Sequence, residues 1–570
     1  MGSELNELIA LAIEKELNGL KTKKEIMEIL AKPPSRELGD LSFPCFSLAK
    51  EMKKSPNEIA EELSKKILIK GIEKISAEGG YMNFFFDSSD LAKKVIEKIL
   101  KEKNNYGKNT LKKGKKVMVE FSSPNTNKPL HLGHLRNMSL GESISRIYEA
   151  ADAKVFRTQI INDRGIHICK SMLAYQKWGN GKKPSKKKKS DHLVGDFYVL
   201  FSEKSKQDTS LEIEAHQLLL EWEKGNKETL KLWKQMNKWA MDGFNETYKK
   251  FGIKFHKNYY ESGIYKEGKK IILDALKKGV FSEQNGAVVV PLEKFNLPNK
   301  VAIRADGSSL YITQDIYLAQ LKVTEFKLDE SIYVIGSEQN LYFKQLFKTL
   351  ELLSYPWEKN LYHLSYGMVN LPEGKMKSRE GTVVDADDLM NEMQKLAEKE
   401  IKKRDKKISK KELEKRAKEI SLGAIKFFLL KNDHLKDMTF DPEQSISFEG
   451  ETGPYVQYAY ARAKSILRKA KKANKKIDFK ALIHPKEKEL IIALNEFREN
   501  VMNSLEAKSP HKIAHYLLEL SAKFNSFYHE VPVLKAEEKE LNARTALINA
   551  AGIVLQNGLD LLGINALEKM

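Results

Sequence analysis

Residues 120–137, EFSSPNTNKPLHLGHLRN, restrict the fold more than any other segment. Val117, Val119 and Phe121 alternate as in a strand, a Ser/Pro/Asn loop follows, and Leu140, Ile144, Ile147, Tyr148 and Ala151 then recur at helical spacing. The stretch predicts strand, loop, helix. His131 and His134 stand at the predicted helix start with Gly133 between them. A helix N-terminus gathers unpaired N–H donors and the positive end of the backbone dipole, which suits phosphate; glycine permits close approach, and imidazoles can donate to phosphoryl oxygens. Such a pair could stabilise charge developing on a nucleotide triphosphate. It could equally be structural or metal-binding.

From Val117 onward strands alternate with helices, as in a doubly wound, Rossmann-like parallel sheet, with VMVEF, VFRTQII, GAVVV, SIYVIG and LYHLSYGMV as its strands. Two insertions interrupt this unit, a helical one near 171–239 that carries the basic run 182–189 and a mixed one near 261–310. Residues 1–112 read as a separate α/β unit: helical periodicity over 5–17 and 59–69, a strand at YMNFFF (81–86), and a polar stretch, 101–116, that reads as a linker. After Asp385 the period is helical as far as Met570, which predicts a bundle. The chain of 570 residues thus divides into 1–112, 113–384 and 385–570.

Charge narrows the partners. Lys plus Arg exceed Asp plus Glu by 98 − 78 = 20, a surplus that points to a polyanion, nucleic acid before an anionic membrane. Cys45 and Cys169 are the two cysteines, too few for a disulfide framework or a Cys-rich zinc site, so no structural zinc is expected and a reducing compartment fits. No apolar run is long enough to span a membrane. The opening MGSELNELIALAIEKEL is an amphipathic helix rather than a signal peptide, and Asn6 stands where a myristoylation motif wants Ser or Thr. The expectation is a cytoplasmic protein. A second basic feature, the loop GKMKSREG at 374–381, follows the last strand; Lys375, Lys377 and Arg379 could close over a triphosphate as point charges and a bidentate fork.

SSPN, HLGH and LRN in this order, with a KMxxR loop far downstream, resemble class I aminoacyl-tRNA synthetases, and specifically the arginyl family. The resemblance extends over nearly the whole chain: GDLSFPCFSLAK and GYMNFFF are similar to that family's N-terminal domain, which implies contact with the tRNA elbow, and FEGETGPYVQYAYARAKSIL is similar to its anticodon-binding bundle. The implied activity is ligation of arginine to tRNA with ATP and Mg²⁺, and a monomer is expected.

The resemblance also implies roles. His131, Gly133 and His134 would lie near the ATP phosphates, backbone groups around Gly367, Met368 and Val369 would hold adenine, and Lys375 and Met376 with their neighbours would cover the triphosphate. Ser123, Asn125 and Gln339 would hold the amino-acid end of arginine, with Glu120 pointing into the same crevice. Selecting a guanidinium requires a carboxylate partner, since a buried charge-matched site rejects neutral competitors. Asp315 is the first choice, with Glu261 as a second carboxylate and Tyr311 alongside; Tyr311 and Asp315 are four apart and share a helix face. The family's class-wide loop is KMSKS, whereas Ser378 stands here at the second lysine, and Lys128, just before the histidine motif, is the candidate replacement. On the tRNA side, Tyr455, Tyr458 and Arg462 share one helix face that could stack bases or merely pack, and Tyr81 and Asn83 are offered for the elbow. Two other readings share some of these features. Another class I ligase or H-x-G-H nucleotidylyl transferase would keep the ATP residues, and a non-catalytic tRNA-binding relative would keep the C-terminal helices.

Overall fold

The computed structural model describes residues 4–372, 384–470 and 477–570. Its centre is a five-stranded parallel sheet of β4 (Lys116–Glu120), β5 (Lys154–Ile161), β6 (Lys257–Tyr260), β10 (Glu330–Gly336) and β11 (Leu361–Tyr366), in the spatial order β11-β10-β4-β5-β6. Val117, Met118 and Val119 are all fully buried because β4 is the central strand and both its faces are covered, so it carries an unbroken apolar run. From β4 the chain moves outward through β5 to β6, then returns to the other side of β4 for β10 and β11. The connections after β4 and β10 therefore diverge, and the sheet opens a crevice at their carboxyl ends.

Four of the five expected strands lie in this sheet. GAVVV does not: β8 (Ala287–Val290) pairs antiparallel with β7 (Ser282–Gln284) and β9 (Lys300–Ile303) in a small separate sheet within the second insertion. An all-apolar run suits any buried strand, and Val288 and Val290 pack with Ile272, Phe281 and Ile316 in a local core. The fifth parallel strand is KNYY, β6, an edge strand that needs only one neighbour and so tolerates a polar sequence. LYHLSYGMV also breaks. β11 ends at Tyr366, and Val369–Asn370 (β12) pairs instead with Met438–Thr439 (β13) from the C-terminal region. Gly367 marks the break because a Cβ there would lie 2.6 Å from the Lys436 backbone.

In the N-terminal unit β1 (Leu41–Pro44), β3 (Tyr81–Phe86) and β2 (Ile72–Glu78) form an antiparallel sheet. The helix Pro56–Lys66 starts at a Ser55/Glu58 capping box, and Ser88–Glu102 starts at Asp87, whose carboxylate accepts from the N–H groups of Ser89 and Asp90. The polar stretch 101–116 is not a free linker. Tyr106, 2% exposed, donates its hydroxyl to the Leu494 carbonyl at 3.1 Å and stacks on Phe497. Asn557 donates to the carbonyls of Lys103 and Tyr106, each at 2.9 Å. Four contacts of Tyr106 and Asn557 thus outweigh a lysine-rich composition.

The C-terminal helices include Ala386–Arg404, Lys410–Lys431, Gly453–Lys469, His511–Glu530 and Glu538–Leu561. The last of these abuts the helix Leu132–Ala150: Ser143 donates to the Leu561 carbonyl at 2.8 Å, and Arg146 pairs with Asp560 at 2.6 Å. The basic run 182–189 is likewise not all solvated, since the Lys189 ammonium sits 2.7 Å from Asp387 and 3.1 Å from Asp191. Among the described residues no helix is long and apolar enough to cross a membrane.

Candidate active site

A cavity of about 1200 Å³ occupies the crevice between the ends of β4 and β10. His131 is the N-cap of the Leu132–Ala150 helix, and its Nδ1 accepts the Gly133 N–H at 3.1 Å. The His131 N–H in turn donates to His134 Nδ1 at 3.2 Å. Two histidines therefore do the work of an ordinary capping box. With both Nδ1 atoms accepting, each neutral ring carries its proton on Nε2 and can donate from there. Burial, helped by the nearby Lys128 charge, pushes His131 down to about 4; burial, His131 and Lys128 hold His134 lower than an ordinary histidine. Both are neutral at pH 7, so they serve as donors and not as cations. Gly133 keeps the turn compact, since a Cβ would stand 3.0 Å from the His131 ring.

The loop between β4 and these histidines is strained. Ser122 and Ser123 take φ of 72° and 49°, left-handed values that non-glycine residues rarely adopt. Asn137 accepts the Ser122 N–H and donates to the Val334 carbonyl at 2.7 Å, which ties the loop to β10. The Ser122 hydroxyl lies 2.8 Å from that of buried Tyr248, which donates to Gln159 at 2.8 Å. Ser123 and Asn125 consequently face the cavity, and Gln339 joins them from the start of the Asn340–Leu352 helix.

The same cavity is lined by the carboxylates of Asp315 and Glu261. Asp315 accepts a hydrogen bond from the Tyr342 hydroxyl, and burial pushes it up to about 6 despite that bond and the Lys322 charge. Glu261, 4% exposed, is pushed by burial up to about 7, against the pull of Arg164, whose guanidinium stands 3.7 Å away. Arg164 itself lies 4.0 Å over the Tyr265 ring and pairs with Glu223 at 2.8 Å. Tyr311 stands at the mouth, 66% exposed. Glu120 lines the same cavity but is not a free acceptor, because its carboxylate is ion-paired with buried Lys322. Burial would lower the Lys322 ammonium, yet Glu120 outweighs that and holds it above the usual lysine range.

Of the three residues expected on the adenine side, two line the cavity. Met368 and Val369 line the cavity, whereas the Gly367 N–H is bonded to the His434 carbonyl at 2.9 Å and the Met368 N–H to Asp437 at 2.6 Å. The Met368 carbonyl accepts from Arg136 at 2.8 Å and from the Met438 N–H at 2.9 Å. These groups hold the C-terminal turn. Lys128 is exposed beside the histidines. Lys375, Met376, Lys377, Ser378 and Arg379 lie outside the described residues. The flanks of their loop, Leu371 and Pro372 before it and Val384 after it, line the cavity, and the Val384 carbonyl accepts the Leu132 N–H at 2.9 Å.

Of the tRNA candidates, Tyr81 is 41% exposed, but Asn83 is buried at 3% and accepts from the Ser42 hydroxyl, so as placed it cannot meet a macromolecule. Tyr455, Tyr458 and Arg462 do share a face. Arg462 lies between the rings of Tyr458 at 4.8 Å and Tyr528 at 4.7 Å and donates to Asn525 at 2.7 Å.

Sequence reasoning missed Lys322, Tyr342 and Arg164. Lys322 had a signal: it is the lone cation of the helix Tyr311–Phe326, seven residues after Asp315 and so on the same face. For Tyr342 and Arg164 neighbouring residues carry no pattern.

Comparison with known proteins agrees along the whole length. Residues 95–442 match the family model described as tRNA synthetases class I (R), catalytic domain; 456–570 match the DALR anticodon binding domain, and 4–86 the arginyl tRNA synthetase N terminal domain. An arginine–tRNA ligase of Treponema denticola is 49% identical over 554 residues, 94% of each chain, and one of Borrelia hermsii is 44% identical over 582 residues, covering 100% of this chain and 99% of its own. Among solved structures, Thermus thermophilus arginyl-tRNA synthetase superposes with a TM-score of 0.82 at 28% identity over 99% of both chains. With the histidine pair, the paired carboxylates and the parallel sheet in one crevice, the chain belongs to the arginyl-tRNA synthetases of class I.

Proposed function

We propose that the chain activates arginine with ATP and transfers it to the terminal adenosine of its tRNA. The observation that carries this reading is one cavity lined both by the carboxylates of Glu261 and Asp315 and by two neutral, Nε2-protonated histidines. The guanidinium of arginine pairs with Asp315 and Glu261, with Tyr311 covering it, while Ser123, Asn125 and Gln339 hold its amino and carboxyl groups. The buried Glu120–Lys322 pair lines the same cavity. ATP lies with its phosphates on the N-terminus of the Leu132–Ala150 helix. Mg²⁺ enters with ATP as part of the substrate, held chiefly by the phosphates.

An oxygen of the arginine carboxylate attacks the α-phosphorus, the bond to the β-phosphate bridging oxygen breaks, and arginyl-adenylate and pyrophosphate result. His131 and His134 donate from Nε2 to phosphoryl oxygens as charge builds on them. The formal positive charge comes from Lys128 and from Lys375, Lys377 and Arg379. A ribose hydroxyl of the tRNA end then attacks the activated carbonyl and releases AMP, with catalysis supplied by positioning rather than by a covalent enzyme intermediate. Residues 1–112, bearing Tyr81, meet the tRNA elbow; 113–384 carry the chemistry; and 385–570, with Tyr455, Tyr458 and Arg462, meet the anticodon arm. We place the protein in the cytoplasm as a monomer.

Pyrophosphate exchange with each amino acid, with and without tRNA, tests the reading. Exchange with arginine supports it, and exchange with glutamine, cysteine or leucine but not arginine would overturn it.

A further inference from the structure

Beyond the cavity, the turn after the Lys410–Lys431 helix bears on two parts of the molecule at once. On one side it holds the nucleotide end of the cavity: the His434 carbonyl accepts from Gly367 N–H and from Arg136 at 3.1 Å, and Asp437 accepts from Met368 N–H. On the other side it meets the N-terminal turn of the His511–Glu530 helix. There a carboxylate oxygen of Asp433, a ring nitrogen of His434 and a ring nitrogen of His511 lie within 4.8 Å of one another.

His434 makes this cluster more than a chance gathering. The residue is only 9% exposed, and its Nδ1 is buried without a hydrogen-bond partner, a state that native proteins seldom leave unexplained. Asp433 Oδ1 is already 3.7 Å from that nitrogen. Donors around a tetrahedral ion stand roughly 3.4 Å apart, given bonds of about 2.1 Å, so modest rotation of half-buried Asp433 and His511 closes the site. The supporting contacts are those a ligand set needs. Asp433 Oδ1 accepts the Leu435 N–H at 3.0 Å, and the Ser509 hydroxyl, 2.6 Å from His511 Nδ1, can accept that N–H and leave Nε2 with its lone pair. His515 follows one helical turn later, its ring 5.9 Å from that of His511, and either it or water can supply a fourth donor.

We propose that Asp433, His434 and His511 form a site for a divalent transition metal, zinc first, which clamps the C-terminal helices to the turn that holds the nucleotide side of the cavity. Two imidazoles and a carboxylate are a borderline donor set suited to Zn²⁺, rather than the all-oxygen set of Mg²⁺ or Ca²⁺. The expectation of no structural zinc rested on the cysteine count, which does not bear on a His/Asp site. The comparable cluster of Asp191, His192 and Asp387 differs, because the Lys189 ammonium already supplies its cation.

The test uses the full chain without a histidine tag, stripped of metal by a chelator. Zn²⁺ is titrated in competition with a chromophoric chelator, and Co²⁺ is added separately to read its visible bands. One equivalent of Zn²⁺, a tetrahedral Co²⁺ spectrum, and affinity weakened at least about tenfold by His511→Ala with no change for His529→Ala support the site. His511→Gln repeats the measurement in a variant whose metal-free melting matches the parent, so that loss of binding is not loss of fold. Binding below half an equivalent, or parent affinity in both His511 variants, would overturn it.

Discussion

In the proposed reading the two neutral donors of the phosphate end come from one continuous stretch, and backbone geometry sets them: His131 and His134 are held by N–H groups of their own helix turn. At the arginine end the working groups come from three separated segments. Glu261, Asp315, Gln339 and Tyr342 are brought together only by the return of the chain to the far side of β4. The electrostatics differ in the same way. Burial makes the histidines fully neutral near pH 7, whereas burial leaves Asp315 and Glu261 at about 6 and about 7, close to the working range. A local device can be insensitive to pH; an assembled pocket of buried carboxylates waits for its cationic ligand to become fully charged.

The difference can be broken at the junction. Lys322→Met leaves Glu120 buried without a partner, and urea unfolding is expected to show a loss of about 3–5 kcal/mol, most of it restored in the Glu120→Gln/Lys322→Met double variant. A single variant as stable as the parent would show that the pair does not hold the two ends together. His134→Ala removes one donor from the phosphate end and is expected to slow adenylate formation about 10²- to 10³-fold while changing tRNA affinity little. Undiminished activation would refute its role. Asp315→Asn should raise the arginine KM about tenfold to a hundredfold with the ATP KM nearly constant, since a charge-assisted bond is lost at one end only. An unchanged arginine KM would remove it from the pocket.

This contrast also explains what could be read from residues alone. The strand-loop-helix at 120–137 was legible because its chemistry and its fold share one stretch, and β4, β5, β10 and β11 were legible as short stretches rich in β-branched, aromatic and other apolar residues between helical ones. GAVVV was misplaced because hydrophobicity marks a buried strand without saying in which sheet. Tyr106 hid in a lysine-rich stretch because composition averages over the one residue that packs. Asn83 looked available because alternation along a strand tells which residues share a face and not which face meets solvent. Lys322 was overlooked for the opposite reason: a lone lysine on a helix is ordinarily exposed, and only its direct contact with Glu120 at the end of β4 makes its burial affordable in free energy.

Two smaller effects sharpen the comparison. Between pH 7.5 and 5.5 the carboxylates of the free enzyme take up protons as pH falls through about 7 and about 6, and a protonated acid no longer attracts a guanidinium. The arginine KM is therefore expected to rise on the order of tenfold over that range while the ATP KM stays nearly flat, because His131 titrates at about 4. Equal pH dependence of the two constants would erase the distinction between the ends. Lys128→Ala probes the remaining link. Its exposed ammonium acts through solvent, so adenylate formation should fall by less than about tenfold and the loss should shrink at high salt. Because the same charge helps burial depress His131, the variant should also move the His131 titration upward toward the ordinary histidine value, as followed by NMR. A rate that falls with no movement of that titration would mean that Lys128 acts on the phosphates alone; a rate that does not fall would mean that the positive charge missing from the KMSKS pattern is supplied elsewhere.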